Sequence, residues 1–129
     1  MLDTDTVSYA LRGEAGVGER ILLHHPSSLS ISSITLAELR FGAERRASKK
    51  LHKLIDSFVS QVAVLPFDDG AAAKFGFLGA TLAEAGTPIG QLDTLIAAHA
   101  LSAGLVLVTN NTRHFSRVHA LKTENWAQR

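Results

Sequence analysis

Cysteine is absent from the 129 residues of this sequence, and proline occurs only three times. The absence of cysteine excludes disulfide bonds and thiolate metal sites, which is typical of proteins in a reducing cytoplasm. The sequence also lacks an apolar run long enough to cross a bilayer, and Asp3 and Asp5 interrupt any signal-like start. We therefore expect a cytoplasmic protein that does not associate with membranes.

An excess of charge of either sign is also missing, because the formal net charge is only +1. Bulk charge therefore does not indicate a nucleic-acid-binding protein, and any attraction to a polyanion must come from local basic patches. Hydrophobic residues make up 46% of the chain and charged residues 19%, which favours a folded core over disorder. The length predicts a single domain over residues 1–129.

The apolar pattern alternates between short strands and longer helices. Strands are predicted at residues 1–2, 29–31, 62–65 and 105–108, and helices at residues 6–11, 17–25, 34–46, 51–59, 71–85 and 92–103. The unbroken Leu/Val run at 105–108 is typical of a strand covered on both faces. This alternation predicts an α/β fold with a short, mostly parallel central sheet flanked by helices.

Three carboxylates lie near the ends of these elements, within apolar surroundings: Asp3, Glu38 and Asp93. Asp3 follows the first strand, while Glu38 and Asp93 are each placed in the first turn of a helix. Asp93 shares a helix face with apolar residues, so we expect it to point toward the core. Groups at the carboxyl ends of parallel strands meet in one crevice. Carboxylate oxygens without cysteine are ligands for Mg²⁺ or Mn²⁺.

Each acid also has a purely structural interpretation. Asp3 is a suitable cap for the first helix. Glu38 completes a capping box with Thr35, three residues earlier. Asp93 is favourable near a helix N-terminus because of the helix dipole. Spacing alone does not decide whether the three carboxylates converge.

Five segments of the sequence resemble, in the same order, segments of a known protein family. They are residues 1–5 (MLDTD), 32–43 (SSITLAELRFGA), 88–100 (PIGQLDTLIAAHA), 107–115 (LVTNNTRHF) and 121–126 (LKTENW). The set resembles the PIN-domain ribonucleases, and most closely their VapC toxins. The resemblance extends over nearly the whole chain.

The resemblance implies a PIN fold and the activity of a toxin from a bacterial toxin–antitoxin pair. That activity is Mg²⁺-dependent (or Mn²⁺-dependent) endoribonuclease cleavage, in which a metal-activated water hydrolyses phosphodiester bonds of RNA, either tRNA or rRNA. The expected partners are a cognate VapB-like antitoxin that blocks the active site and a second copy of the chain, in a homodimer that can join larger toxin–antitoxin assemblies. The resemblance assigns catalytic and metal-binding roles to Asp3, Glu38 and Asp93.

The sequence departs from the family pattern at His114, where many relatives have a fourth acid. A neutral imidazole supplies no carboxylate oxygen and suits softer metals better than Mg²⁺. This substitution puts a second metal site in doubt.

Three other residues are candidates for binding the substrate. Asn111 lies at the end of the predicted strand 105–108, and its side-chain carbonyl would hold a metal-bound water or the scissile phosphate. Arg40 and Arg113 are candidate phosphate contacts, because guanidinium groups match phosphate geometry. Further basic candidates are Arg12, Arg45, Arg46, Lys49 and Lys50. The densest run, residues 45–50, is more typical of a solvated helix end.

Two alternatives of another class remain open. Residues 3–7 also match the DxDxT(V/L) pattern of haloacid-dehalogenase-like phosphatases, although only two residues precede Asp3 and no acidic pair follows the 105–108 strand. A trapped aspartyl-phosphate would favour that assignment. The second alternative is a non-catalytic module that binds RNA or an antitoxin, and the missing fourth acid supports it.

Overall fold

A computed structural model describes residues 1–128 of the chain. In this part of the chain, short strands alternate with helices. The elements are α1 Thr4–Arg12, α2 Val17–Leu22, β1 Ser30–Ser32, α3 Ser33–Arg45, α4 Lys49–Val59, β2 Ala63–Leu65, α5 Asp69–Glu84, α6 Gln91–Ala103, β3 Leu107–Val108, α7 Thr112–Phe115 and β4 Thr123–Glu124. The order confirms the predicted α/β fold class. Among the described residues, none of the helices is both long and apolar enough to span a membrane.

The strands form two parallel pairs. β1 pairs with β2, with Ser30 opposite Ala63. β3 pairs with β4, with Leu107 opposite Thr123. The parallel arrangement agrees with the sheet predicted from the sequence. β2 and β3 are shorter than the predicted strands, and β1 has the predicted three residues but begins one residue later.

The first three residues of the chain join the two strand pairs. The backbone N–H of Leu2 donates to the Ser30 carbonyl at 2.8 Å, and the N–H of Asp3 donates to the Val108 carbonyl at 2.8 Å. Leu2 and Val108 form a parallel bridge. The predicted first strand is therefore present only as this bridge, and it places Asp3 where the strand pairs meet.

The core lies on both sides of this sheet. Met1 and Leu107 belong to a cluster formed with α5 and α6, whereas Leu2 and Val108 belong to a cluster formed with α1, β1 and α3. Successive side chains of an extended strand point to opposite faces, so neighbouring residues enter different clusters. Leu107 and Val108 are both buried, as predicted for a strand covered on both faces.

The start of α3 differs from the sequence prediction. The side chain of Ser32 caps the helix by accepting a hydrogen bond from the N–H of Ile34 at 3.0 Å. Because the helix begins at Ser33, Glu38 lies in its second turn, and the prediction of a first-turn position is wrong. The capping box proposed for Thr35 and Glu38 is likewise not formed, since Thr35 is already inside the helix.

We predict that Leu2→Ala weakens the whole fold. Leu2 is only 1% exposed, and truncating a buried leucine lowers the free energy of unfolding by about 3 kcal/mol. Urea denaturation measures the change. The control is Leu22→Ala, because Leu22 is 82% exposed and its truncation should change the free energy by less than about 0.5 kcal/mol. Equal effects of the two substitutions would contradict the central position of Leu2.

Candidate active site

An open pocket of about 280 Å³ lies at the junction of the strand pairs. Its lining residues are Asp3, Thr4, Asp5, Glu38, Asp93 and Asn111. Four of these six side chains are carboxylates, and none is a lysine or an arginine. The pocket thus contains the three acids singled out in the sequence, together with Asp5 and the candidate substrate-binding residue Asn111.

Asp3 is the most deeply buried of these acids, with only 5% of its surface exposed. Its Oδ1 caps α1 by accepting from the N–H of Thr4 at 2.8 Å, and its Oδ2 accepts from the hydroxyl of Thr109 at 2.8 Å. Burial, together with repulsion from Asp5, raises the pKa of the Asp3 carboxyl to about 7. The Asp3 side chain therefore both caps α1 and lines the pocket.

Glu38 reaches the pocket from α3 and is held there by Thr4. The Thr4 hydroxyl donates to Oε1 of Glu38 at 2.8 Å. Burial raises the pKa of Glu38, and repulsion from Asp93 and Asp5 adds to this effect, while the hydrogen bond from Thr4 opposes it. Thr4, which directly follows Asp3, thus positions Glu38.

Asp93 lies in the first turn of α6, as the sequence predicted. Its side chain is 29% exposed and lines the open pocket, so the prediction that it points toward the core is wrong. The amide Nδ2 of Asn111 donates to Oδ2 of Asp93 at 3.2 Å and also lies 2.9 Å from Nδ1 of His114. Nδ1 of His114 is 3.3 Å from the same Asp93 oxygen. His114, which replaces the expected acid, therefore contacts Asp93 directly.

Asp5 is a pocket residue that the sequence analysis did not assign to the site. Its Oδ2 accepts a hydrogen bond from the backbone N–H of Asn110 at 3.1 Å. Burial is the main cause that raises the pKa of Asp5. Its position two residues after Asp3, in the first turn of α1, is the signal that could have identified it.

The two arginines predicted to contact phosphate do not line this pocket. Arg40 donates to Oδ1 of Asp56 and to the carbonyl of His52, so it links α3 to α4. Arg113 is exposed on α7. The guanidinium of Arg40 is thus held by hydrogen bonds to α4, whereas Arg113 is exposed to solvent, two residues after the pocket residue Asn111.

The donor set of the pocket suits a hard divalent cation, since it consists of carboxylate and amide oxygens. In residues 1–128, no three His, Asp or Glu side chains are arranged closely enough to hold an ion as they stand. Hydroxyl and amide donors hold the carboxylates instead, as Thr109 holds Asp3 and Asn111 holds Asp93.

Comparison with known proteins gives consistent matches over nearly the full length. Residues 1–121 match the PIN domain family. The chain is 43% identical to the tRNA(fMet)-specific endonuclease VapC of Shigella flexneri, over 98% of this chain and 97% of that protein. A chain of the DNA-bound VapBC structure from Salmonella typhimurium is 41% identical, with a TM-score of 0.92 and coverage of 98% and 97%. A chain of VapBC2 from Rickettsia felis, bound to a promoter DNA fragment, is 34% identical, with a TM-score of 0.89 and the same coverage.

We predict that Asp3→Asn stabilises the metal-free protein at high pH. Since the folded-state pKa of about 7 exceeds the ordinary value of 3.8, the stability contributed by the protonated Asp3 is complete below the ordinary pKa and is lost as the pH rises through 7. The uncharged asparagine avoids this loss and should raise the free energy of unfolding at about pH 8 by up to about 4 kcal/mol.

Urea denaturation in EDTA across this pH range tests the prediction. The advantage of Asp3→Asn should shrink toward low pH, and the exposed control Asp69→Asn should change little at any pH. A variant that is less stable than the wild type at every pH would show that the hydrogen bonds to the carboxylate outweigh its desolvation.

Proposed function

Because the chain belongs to the PIN domain family, within its VapC type, we propose that it is an endoribonuclease and the toxin of a bacterial toxin–antitoxin pair. The observation that carries this proposal is the convergence of Asp3, Glu38 and Asp93 in one pocket that contains no basic side chain. The names of the relatives support it, since they are ribonucleases or endonucleases. The cofactor we propose is Mg²⁺, or Mn²⁺ in its place.

The substrate we propose is tRNA. The VapC proteins of Shigella flexneri and Salmonella typhimurium are named tRNA(fMet)-specific endonucleases, and they are 43% and 42% identical to this chain. Identity at this level over nearly the full length supports a shared class of RNA substrate.

In the proposed mechanism, Asp3 and Asp93 would hold the cation directly, with Asp5 beside them and Glu38 holding a water molecule next to it. When bound, the cation would neutralise part of the carboxylate charge and polarise the scissile phosphate. Asn111 orients Asp93 through its amide N–H. Glu38 uses Oε1 for the Thr4 hydroxyl, which leaves Oε2 to hold the attacking water and accept its proton. The raised pKa of Glu38 suits it to this task.

The proposed protein partner is an antitoxin of the VapB type. Solved VapBC structures contain chains similar to this one, with TM-scores of 0.92 and 0.89. An acidic pocket with no lysine or arginine in its lining would accept a basic side chain from a partner, because carboxylates form strong hydrogen bonds with guanidinium groups. Such a side chain would occupy the place of the cation and prevent cleavage.

We also propose a homodimer, as the resemblance to the VapC toxins implies. Phe77 on α5 and Leu92 on α6 are both exposed hydrophobic side chains. We propose that a second copy of the chain covers them.

The phosphatase alternative has lost its support, because the chain matches the PIN domain family and no lysine lines the acidic pocket. The non-catalytic alternative rests on His114. Cleavage of bound RNA by the wild-type protein distinguishes the nuclease from this alternative.

We predict that Asp93→Asn lowers Mg²⁺-dependent RNA cleavage by at least about 100-fold, because a neutral amide replaces a charged cation ligand. Cleavage is measured with a labelled tRNA, and binding is measured as the rise in melting temperature on adding Mg²⁺. Both should be lost in Asp93→Asn and retained in the control Asp69→Asn, whose side chain lies outside the pocket.

Cleavage by Asp93→Asn at the wild-type rate, with contaminating nuclease excluded, would contradict the proposed role. Wild-type protein that binds RNA without cutting it, in either Mg²⁺ or Mn²⁺, would identify the non-catalytic module.

A further inference from the structure

A second cavity adjoins the acidic pocket, and two arginines lie at its edge. This cavity, of about 110 Å³, is formed by α1, α3 and the start of α4. It shares Thr4 and Glu38 with the acidic pocket, and its lining includes Arg12 and Arg46. We call it the basic groove. The two cavities therefore adjoin at Thr4 and Glu38, and the guanidinium groups line only the basic groove.

Both arginines of the basic groove can reach a ligand. Arg46 follows the last residue of α3, is exposed, and forms no ion pair within residues 1–128. Arg12 pairs through Nε with Glu14 at 3.2 Å, and its guanidinium carbon lies 5.4 Å from the centre of the Tyr9 ring. The Arg12 and Glu14 side chains are both exposed. Exposed pairs of this kind contribute little and exchange readily with other partners. An anion in the groove would thus meet two available guanidinium groups.

The remaining surface of the basic groove is suited to the uncharged parts of a nucleotide. Leu11, Leu39 and Leu51 line it, and Ser8 adds a hydroxyl group. Leucine side chains offer an apolar surface to a base or a sugar, while arginines bind phosphate oxygens in fixed geometry.

We propose that the basic groove binds the RNA nucleotide next to the scissile bond, with its phosphate on Arg12 and Arg46. This inference rests on the proposed function and extends it, because it states where the strand runs as it leaves the acidic pocket. The positive charge of the two arginines favours RNA as the occupant, because RNA carries a phosphate at every nucleotide. The groove also adjoins the acidic pocket, where we propose that the strand is cut.

The structure also separates these arginines from the other basic residues of the sequence. Arg40 is engaged with Asp56 and does not line the groove. Arg45 is exposed and precedes Arg46 directly, yet it lies outside the groove lining. Arg45 is therefore a matched control for the effect of charge alone.

The test measures binding of a fluorescent single-stranded RNA to Asp93→Asn protein, which is expected not to cut it, at constant Mg²⁺ and increasing KCl. Adding Arg46→Gln or Arg12→Gln should weaken binding roughly five- to tenfold. Each should also reduce the slope of log K against log salt by about 0.7, the value for one phosphate contact on a single strand. Adding Arg45→Gln should leave both quantities close to those of the parent protein, and thermal melting checks that every variant is folded.

Unchanged affinity and slope in both groove variants would overturn the inference, and so would an equal loss in Arg45→Gln, which would show a diffuse charge effect. Binding of an oligo-glutamate peptide that is lost in Arg46→Gln, with RNA binding unchanged, would overturn it in favour of an acidic peptide. A wild type that fails to cleave RNA is a failure of the proposed function. Cleavage by the wild type with no effect of Arg12→Gln or Arg46→Gln is a failure of the groove inference alone.

Discussion

The burial of one carboxylate where two strand pairs meet is the constraint on which the rest of the site depends. The backbone N–H of Asp3 donates to the Val108 carbonyl, which fixes the Asp3 backbone at the junction of the strand pairs. Thr4 and Thr109 each supply one hydrogen bond to the carboxylate. Two donors do not replace the hydration that a carboxylate has in water, and the pKa of Asp3 therefore rises to about 7. A positive charge is the partner that this position lacks.

The same constraint acts on the acids around Asp3. Asp5 and Glu38 also have raised pKa values, because burial and mutual repulsion both oppose their ionisation. The Thr4 hydroxyl donates to Glu38, and the Asn111 amide donates to Asp93. Either a divalent cation or a basic side chain would relieve this repulsion. The proposed activation by a metal ion and the proposed inhibition by an antitoxin would therefore both follow from the same electrostatic arrangement.

Much of the fold was predictable because its signals are local. The Leu/Val run before Thr109 and the apolar periodicity around Asp93 identify a strand and a helix without reference to the rest of the chain. The three acids were identified from their positions at element ends and from the resemblance to a family. The hydrogen bond between Thr4 and Glu38 was not predictable in this way, since it joins residues 34 positions apart. The pairing of Arg40 with Asp56 is likewise a tertiary contact. It explains why Arg40, predicted to contact phosphate, does not line the acidic pocket.

Although the net charge is only +1, acidic and basic side chains are concentrated in different cavities, and this distribution bears on the proposed chemistry. Four carboxylates line one cavity, and two arginines line the cavity beside it. Under the proposed function, an RNA strand bound to the arginines would bring phosphates toward the carboxylates, and the repulsion between them would oppose binding until a cation neutralised the carboxylates. A cation in the pocket would thus tighten RNA binding, and by thermodynamic reciprocity bound RNA would tighten the cation by the same factor. A pocket that is not arranged to hold an ion by itself is consistent with this coupling, because the substrate phosphate would supply ligands that the protein does not.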